Sequence, residues 1–270
     1  MFNHISTQAN RLVTLSKRIH NGSKTKILTI TSGKGGVGKS TITTNLSYLL
    51  SQNNLNIAVL DADIGLANLQ VHFNVKPQYT YFDYLSGKQE LEDIFVNTQL
   101  GVTLIAGQSG YQYTQSNSMV LARVVEDIVA LDKFDILLID TGAGINSYVQ
   151  EFLEITDNIL AVTTTDPSAL TDVYALLKMI SLKKDKLMLC FNHTTKFETG
   201  QSITNSLINL AIKNKLNRKF MVKYIGNVCE DSAISTTGRL RKLFVKEFEH
   251  HLATLQMRSI SQSILAEIER

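Results

Sequence analysis

Between Ile27 and Thr41 the chain reads as a strand, a glycine turn and the start of a helix, with nothing in between. The apolar run Ile27–Thr31 leads into Ser32-Gly33-Lys34-Gly35-Gly36-Val37-Gly38-Lys39-Ser40-Thr41, and a helical pattern follows over Lys39–Leu50. This is G-x-x-x-x-G-K-[ST] after a strand and before a helix, the context its chemistry requires. Glycines let backbone N–H groups turn inward around phosphate oxygens without a Cβ clash. The helix aims its positive N-terminal end at the same anion. Lys39 supplies a cation for the β- and γ-phosphates, and the Ser40 hydroxyl supplies a ligand for Mg²⁺.

The rest of the chain repeats the alternation. Strand-like runs are expected at Ile57–Leu60, Val102–Ile105, Ile136–Ile139, Asn158–Val162, Leu187–Phe191 and Val222–Ile225. Helical patterns fill most gaps, among them Met119–Ala130, Ser168–Ile180 and Gln201–Leu216. Strands apolar throughout, separated by amphipathic helices, predict an α/β fold: a doubly wound, mainly parallel sheet with helices on both faces. Phe2, Ile5, Leu12, Leu15 and Ile19 form one stripe, so a short N-terminal helix is expected before the break at Asn21-Gly22-Ser23. The division is a basic appendage over 1–26 and one domain over 27–270.

Composition excludes several classes. Hydrophobic residues are 44% of the 270 and charged residues 19%, an ordinary globular balance that excludes wholesale disorder. No uninterrupted apolar run reaches 18 residues, so no membrane-spanning helix is expected. The polar, basic N-terminus has no apolar signal core. Cys190 and Cys229 lie 39 positions apart, which suits neither a disulfide framework nor a zinc site. A cytoplasmic protein is expected. The net charge of +3 hides an asymmetry: residues 1–26 carry five Lys/Arg and no acid, residues 27–175 sum to −10, and residues 176–270 to +8. Basic ends around an acidic middle suit an anionic partner or surface, and equally a set of solvated faces.

Carboxylates close two of the strands. The second strand ends in Leu60-Asp61-Ala62-Asp63-Ile64-Gly65, and the i, i+2 spacing puts Asp61 and Asp63 on one face of an extended segment. Such residues sit on the ligand side of a parallel sheet. Asp61 can hold Mg²⁺ through water, and Asp63 can orient and deprotonate an attacking water. Another strand ends in Asp140-Thr141-Gly142-Ala143-Gly144, where Asp140 suits the Mg²⁺ water shell and the glycines allow backbone approach and rearrangement.

These strings together resemble the MinD/ParA ATPases. The loop GKGGVGKST matches their deviant Walker A motif, in which the extra lysine, here Lys34, reaches across a nucleotide-sandwich dimer to the partner's phosphates. DADIGLANL resembles the family's first switch, in which the second aspartate, here Asp63, is the hydrolytic one. The block Thr163–Lys178 resembles the flagellar branch, called FlhG, FleN or YlxH. Asn192 matches the family's adenine-reading asparagine. Asp231 matches the aspartate of its base-contacting loop, although Cys229 stands where that loop usually has proline. The resemblance covers about residues 27–255. It implies ATP as substrate, ADP as product, Mg²⁺ as cofactor, slow dimer-dependent hydrolysis and a homodimer formed with ATP.

The N-terminal stretch Thr7-Gln8-Ala9-Asn10-Arg11-Leu12 partly resembles the branch's D-Q-A-x-x-L-R element, which activates the signal-recognition-type GTPase FlhF. Thr7 and Val13 depart from its charged ends. The expected function is an ATP-controlled dimerisation switch for flagellar number or placement. Two other readings stay open: a division-site regulator of the MinD type, and a ParA-like partition ATPase binding DNA. DNA is not the expected partner. Membrane contact is weakly supported, because the stripe Met257, Ile260, Ile264, Leu265, Ile268 has Glu267 and Glu269 on its polar side and reads as a packing helix.

Overall fold

The computed structural model describes residues 23–110, 120–196, 198–217 and 219–268. The expected N-terminal helix and its D-Q-A-like element lie outside them, as does Met119. In chain order the elements are β1 (Lys26–Ser32), α1 (Lys39–Ser51), β2 (Ile57–Ala62), α2 (Leu69–His72) and α3 (Tyr81–Leu85). A 3₁₀ turn, Leu91–Ile94, leads to β3 (Phe95–Asn97), β4 (Val102–Ile105), α4 (Val120–Ala130), β5 (Ile136–Ala143) and α5 (Ser147–Ile155). Then come β6 (Asn158–Thr163), α6 (Pro167–Ile180), β7 (Lys186–Thr194), α7 (Thr199–Lys213) and β8 (Met221–Cys229). Three helices close the chain: α8 (Ser232–Arg239), α9 (Phe244–Glu247) and α10 (Leu252–Ile268).

The strands form one eight-stranded sheet in the order β3-β4-β2-β5-β1-β6-β7-β8. It is parallel except where β3 pairs antiparallel with β4 at one edge. The fold is therefore the doubly wound α/β sheet expected. Alternate residues of each strand serve opposite faces. Leu28, Ile30, Val59 and Leu138 join the core beneath α1 and α10, with Leu46, Leu50, Met257, Ile260 and Ile264. Ile27, Ala58, Leu60, Leu137 and Ile139 face the other way, against Val124, Val125 and Ile128 of α4. Both faces are covered, which is why these strands read as continuous apolar runs. Burying each large side chain contributes roughly 1.5–3 kcal/mol.

The register places β1 in the middle, beside β5 on one side and β6 on the other. Asp61 of β2 is paired with Asp140 of β5, so two acidic residues 79 positions apart become lateral neighbours. Several strands outrun their apolar cores: β5, β7 and β8 each continue through polar residues such as Asp140, Asn192 and Asn227, held by pairing rather than by hydrophobic pattern. The three-residue β3 is too short to announce itself in sequence. Helix α7 stops at Lys213 rather than Leu216, because Lys215 takes a left-handed φ of 54° and Leu216 N–H turns back to Ala211 O. Among the described residues no helix is long and apolar enough to cross a membrane. The stripe Met257, Ile260, Ile264 and Ile268 is buried, with Leu265 packed against it, so α10 is a packing helix.

Candidate nucleotide-binding site

The carboxyl ends of β1, β2 and β5 converge on one point, and the glycine loop 33–38 lies over it. Gly36 and Gly38 have φ of 78° and 87°, a region that side chains rarely adopt. Gly38 caps α1 with no side-chain acceptor, so the first N–H groups of that helix have no capping partner from it. Nothing lies within 4 Å of where a Cβ would stand on Gly36 or Gly144, which leaves the loop's outer side open. Gly144 ties the loop after β5 to the glycine loop by donating its N–H to Ser32 O at 2.8 Å.

Beneath the loop is a polar centre that burial makes rigid. The Lys39 ammonium lies 3.0 Å from Asp140 Oδ1. Ser40 Oγ donates to Asp140 Oδ2 at 2.7 Å, and Thr43 Oγ1 donates to Asp140 Oδ1 at 2.9 Å. Asp140 is fully buried, and the Lys39 side chain is 8% exposed. A buried cation and carboxylate are tolerable only as a hydrogen-bonded pair. Thr43 was not foreseen as part of this site; its signal is its position one helical turn after Lys39 on the same face.

Asp61 is also fully buried beside Asp140. Burial first, and the adjacent Asp140 charge second, push its carboxyl up to about 7. It accepts the Leu69 N–H at 2.8 Å and the Asp63 N–H at 3.3 Å, and so pins both ends of the loop 63–69. Asp63 has folded into a turn of its own, its Oδ1 accepting the N–H groups of Gly65 and Leu66 at 3.1 Å each. Across from it stands Gly142, where a Cβ would come within 3.3 Å of Asp63 Oδ1 and collide with the Tyr148 hydroxyl.

Lys34 is half-exposed and turned onto its own chain. Its Nζ lies 3.5 Å from Asp166 Oδ1 and contacts Ser168 Oγ more closely. Asp166 caps α6 by accepting the N–H groups of Ser168 and Ala169. The Ser168 hydroxyl first, then those two N–H groups, hold the Asp166 carboxyl down to about 2.

Asn192, near the end of β7, and Asp231, just past the end of β8, are neighbours, since Thr194 pairs with Cys229. The Asn192 amide is buried and donates to Val37 O at 2.9 Å, bracing the glycine loop from behind. A Cβ on Gly38 would strike that amide. Asp231 caps α8 by accepting Ala233 N–H at 2.8 Å, and its other oxygen meets His251 Nδ1 at 3.2 Å. The backbone bond chiefly holds its carboxyl below the usual range. Cys229, in place of proline, keeps its N–H and donates it to Gln256 Oε1 at 2.8 Å. Gln256 Nε2 in turn meets the Cys229 sulfur at 3.1 Å. No local pattern marked Gln256; it reaches this loop only because α10 packs on β8.

The residues present fit a polyphosphate and a hard cation. Backbone N–H groups line the glycine loop, and a buried lysine lies behind it with hydroxyl and carboxylate oxygens. Among the described residues no group of three or more His, Cys, Asp and Glu is arranged to hold a metal. A cation here would take phosphate oxygens and water to complete its shell.

Residues 23–265 match the family described as ParA, NUBPL iron-transfer P-loop NTPase. The flagellum site-determining protein YlxH of Helicobacter pylori is 36% identical over 251 residues, 92% of this chain and 85% of its own. The antiactivator FleN of Pseudomonas aeruginosa is 28% identical over 246 residues, 88% of this chain and 86% of its own. Among solved structures, the cell division ATPase MinD of Pyrococcus furiosus superposes with a TM-score of 0.70 at 25% identity, over 90% of this chain and 99% of that one. With that match along nearly the whole described sheet, and the glycine loop and its buried lysine at the expected strand end, the chain belongs to the ParA/MinD family of P-loop ATPases.

Proposed function

We propose that this chain is a Mg²⁺-dependent ATP hydrolase that works as an ATP-controlled dimerisation switch, and that the switch regulates flagellar number or placement. The observation that carries the enzymatic half is the buried set Lys39, Asp61 and Asp140, with the half-buried Ser40 bonded to it, behind an open glycine loop. In this reading the N–H groups of Gly33 to Thr41 and the Lys39 ammonium bind the phosphates. Ser40, Asp61 and Asp140 would hold Mg²⁺, directly or through water. When bound, the cation neutralises phosphate charge. Asp63 leaves its turn, orients a water and takes its proton as the new P–O bond forms and the bond to the ADP oxygen breaks. Asn192 and Asp231 stand on the base side.

Lys34 acts in trans. It leaves Asp166 and Ser168 when a second copy arrives, and complements charge on the partner's phosphates. ATP thus assembles the dimer, and hydrolysis dissolves it. The flagellar half is supported by YlxH and FleN, each matching along most of both chains. Residues 1–20 would dock the signal-recognition-type GTPase FlhF, in the cytoplasm or at the inner face of the membrane.

Light scattering on an Asp63→Ala chain with ATP and Mg²⁺ tests the switch. A stable dimer is expected, and a monomer at saturating ATP overturns it. Deleting residues 1–20 is expected to spare ATP binding and abolish stimulation of the GTPase; unchanged stimulation removes that role. ATP-dependent DNA binding that weakens steeply with salt would replace the flagellar reading with a partition one.

A further inference from the structure

Tyr148 lies in the first turn of α5, two positions after the Asn146 cap, whose side chain accepts Val149 N–H at 3.1 Å. Its ring is half-buried and packs against both of the cores that meet there. That packing sends the hydroxyl out of the core toward Gly142 and Asp63. A Cβ on Gly142 would strike the Tyr148 hydroxyl, lie 3.3 Å from the ring's Cε2, and lie 3.3 Å from Asp63 Oδ1. The hydroxyl and the carboxylate therefore approach the same point. Gly142 has no left-handed φ to require glycine. What crowds a side chain there is the Tyr148 hydroxyl, with Asp63 Oδ1 close beside it.

The electrostatics agree with the geometry. Burial raises the phenol above its usual value, a hydrogen bond from Asn146 opposes this, and the Asp63 and Lys39 charges act in opposite directions. A tyrosine in this setting is protonated at neutral pH, so it is a hydrogen-bond donor facing an acceptor. Asp63 is now held by two N–H groups of its own exposed loop, and a loop that rearranges cannot also fix the carboxylate it carries. A donor on a packed helix can.

We infer that Tyr148 is a further positioning residue of this site: its hydroxyl holds the Asp63 carboxylate in place once that carboxylate leaves its turn. This rests on the hydrolase reading above. Tyr148 touches neither phosphate nor water in the inference; it acts through Asp63.

The test is Tyr148→Phe in the full chain, which keeps the ring and removes the oxygen. Thermal unfolding is expected to match wild type, and affinity for a non-hydrolysable ATP analogue and KM to stay within about twofold, while kcat falls about tenfold. A second readout is spectroscopic. The chain has no tryptophan and nine tyrosines, so tyrosine dominates its near-ultraviolet absorbance. Adding the analogue with Mg²⁺ is expected to give a tyrosine difference band that Tyr148→Phe lacks. In an Asp63→Ala background the same substitution is expected to change nothing further. A Tyr148→Phe chain that turns over like wild type while Asp63→Ala is inactive overturns the inference and leaves the hydrolase reading standing. So does an equal loss in both backgrounds. A wild-type chain that does not hydrolyse ATP overturns that reading, and the inference falls with it.

Discussion

Lys34 and Asp166 are 132 positions apart in sequence, and their side chains meet 3.5 Å apart at the start of α6. The lysine proposed to serve a second copy of the chain is thus engaged within its own. Both side chains are about half-exposed, at 43% and 53%, so solvent screens the pair and it is weak. A weak contact suits the change of partner proposed for Lys34.

Asp166→Asn removes the charge that holds Lys34 and keeps an acceptor for the N–H groups that cap α6. Asparagine and aspartate cap helices about equally well. The expected outcome is an unchanged unfolding midpoint and ATP-dependent dimerisation at a severalfold lower ATP concentration. Light scattering against ATP concentration reads it. A dimer that forms only at higher ATP would show that Asp166 aids assembly rather than restraining Lys34.

Lys39→Ala has a cost apart from any ligand. It leaves Asp140 buried beside Asp61 with only the Ser40 and Thr43 hydroxyls as partners. Removing one member of a buried pair destabilises by roughly 3–5 kcal/mol. Urea denaturation of the nucleotide-free chain is expected to show most of that loss, together with abolished ATP binding. Undiminished stability would mean that water reaches Asp140.

The raised carboxyl of Asp61 gives a pH dependence. Its value is about 7 in the fold against 3.8 as a free carboxyl, so the folded state binds more protons through this window. By linkage, its contribution to stability falls as pH rises from about 4 to 7 and is constant above that. His72, whose burial lowers its own value, works in the opposite direction near the upper end. The diagnostic comparison is therefore wild type against Asp61→Asn, by thermal unfolding at about pH 5 and pH 8. The wild-type chain is expected to lose more on going to the higher pH. Equal losses would remove Asp61 as the source.

Gln256 restrains the end of β8 through the Cys229 N–H. Gln256→Ala is expected to cost about 1–2 kcal/mol and to speed hydrogen exchange at the Cys229 amide, whose acceptor it removes. Cys229→Pro is expected to destabilise as well, because proline has no N–H to give Gln256. A neutral or stabilising proline would show that φ restriction outweighs that bond.

The loop, its lysine and the strand-end aspartates are legible in sequence because each depends on local order: a strand, then glycines, then a helix. The same holds for the doubly wound sheet, since strands covered on both faces must be apolar at consecutive positions, as Leu28 and Ile136–Ile139 show. What chain order cannot carry is lateral position. Asp61 and Asp140 are each plausible alone, but only the register between β2 and β5 makes them neighbours and lifts the first toward neutrality. Only the packing of α5 and α10 brings Tyr148 to Asp63 and Gln256 to Cys229. Only the turn of the loop puts Lys34 on Asp166 and sends the Asn192 amide to Val37. Residue type and spacing name the groups able to meet a phosphate, because that chemistry depends on local order. The tertiary structure decided which of them hold one another, because burial and side-by-side contact arise from strands and helices far apart along the chain.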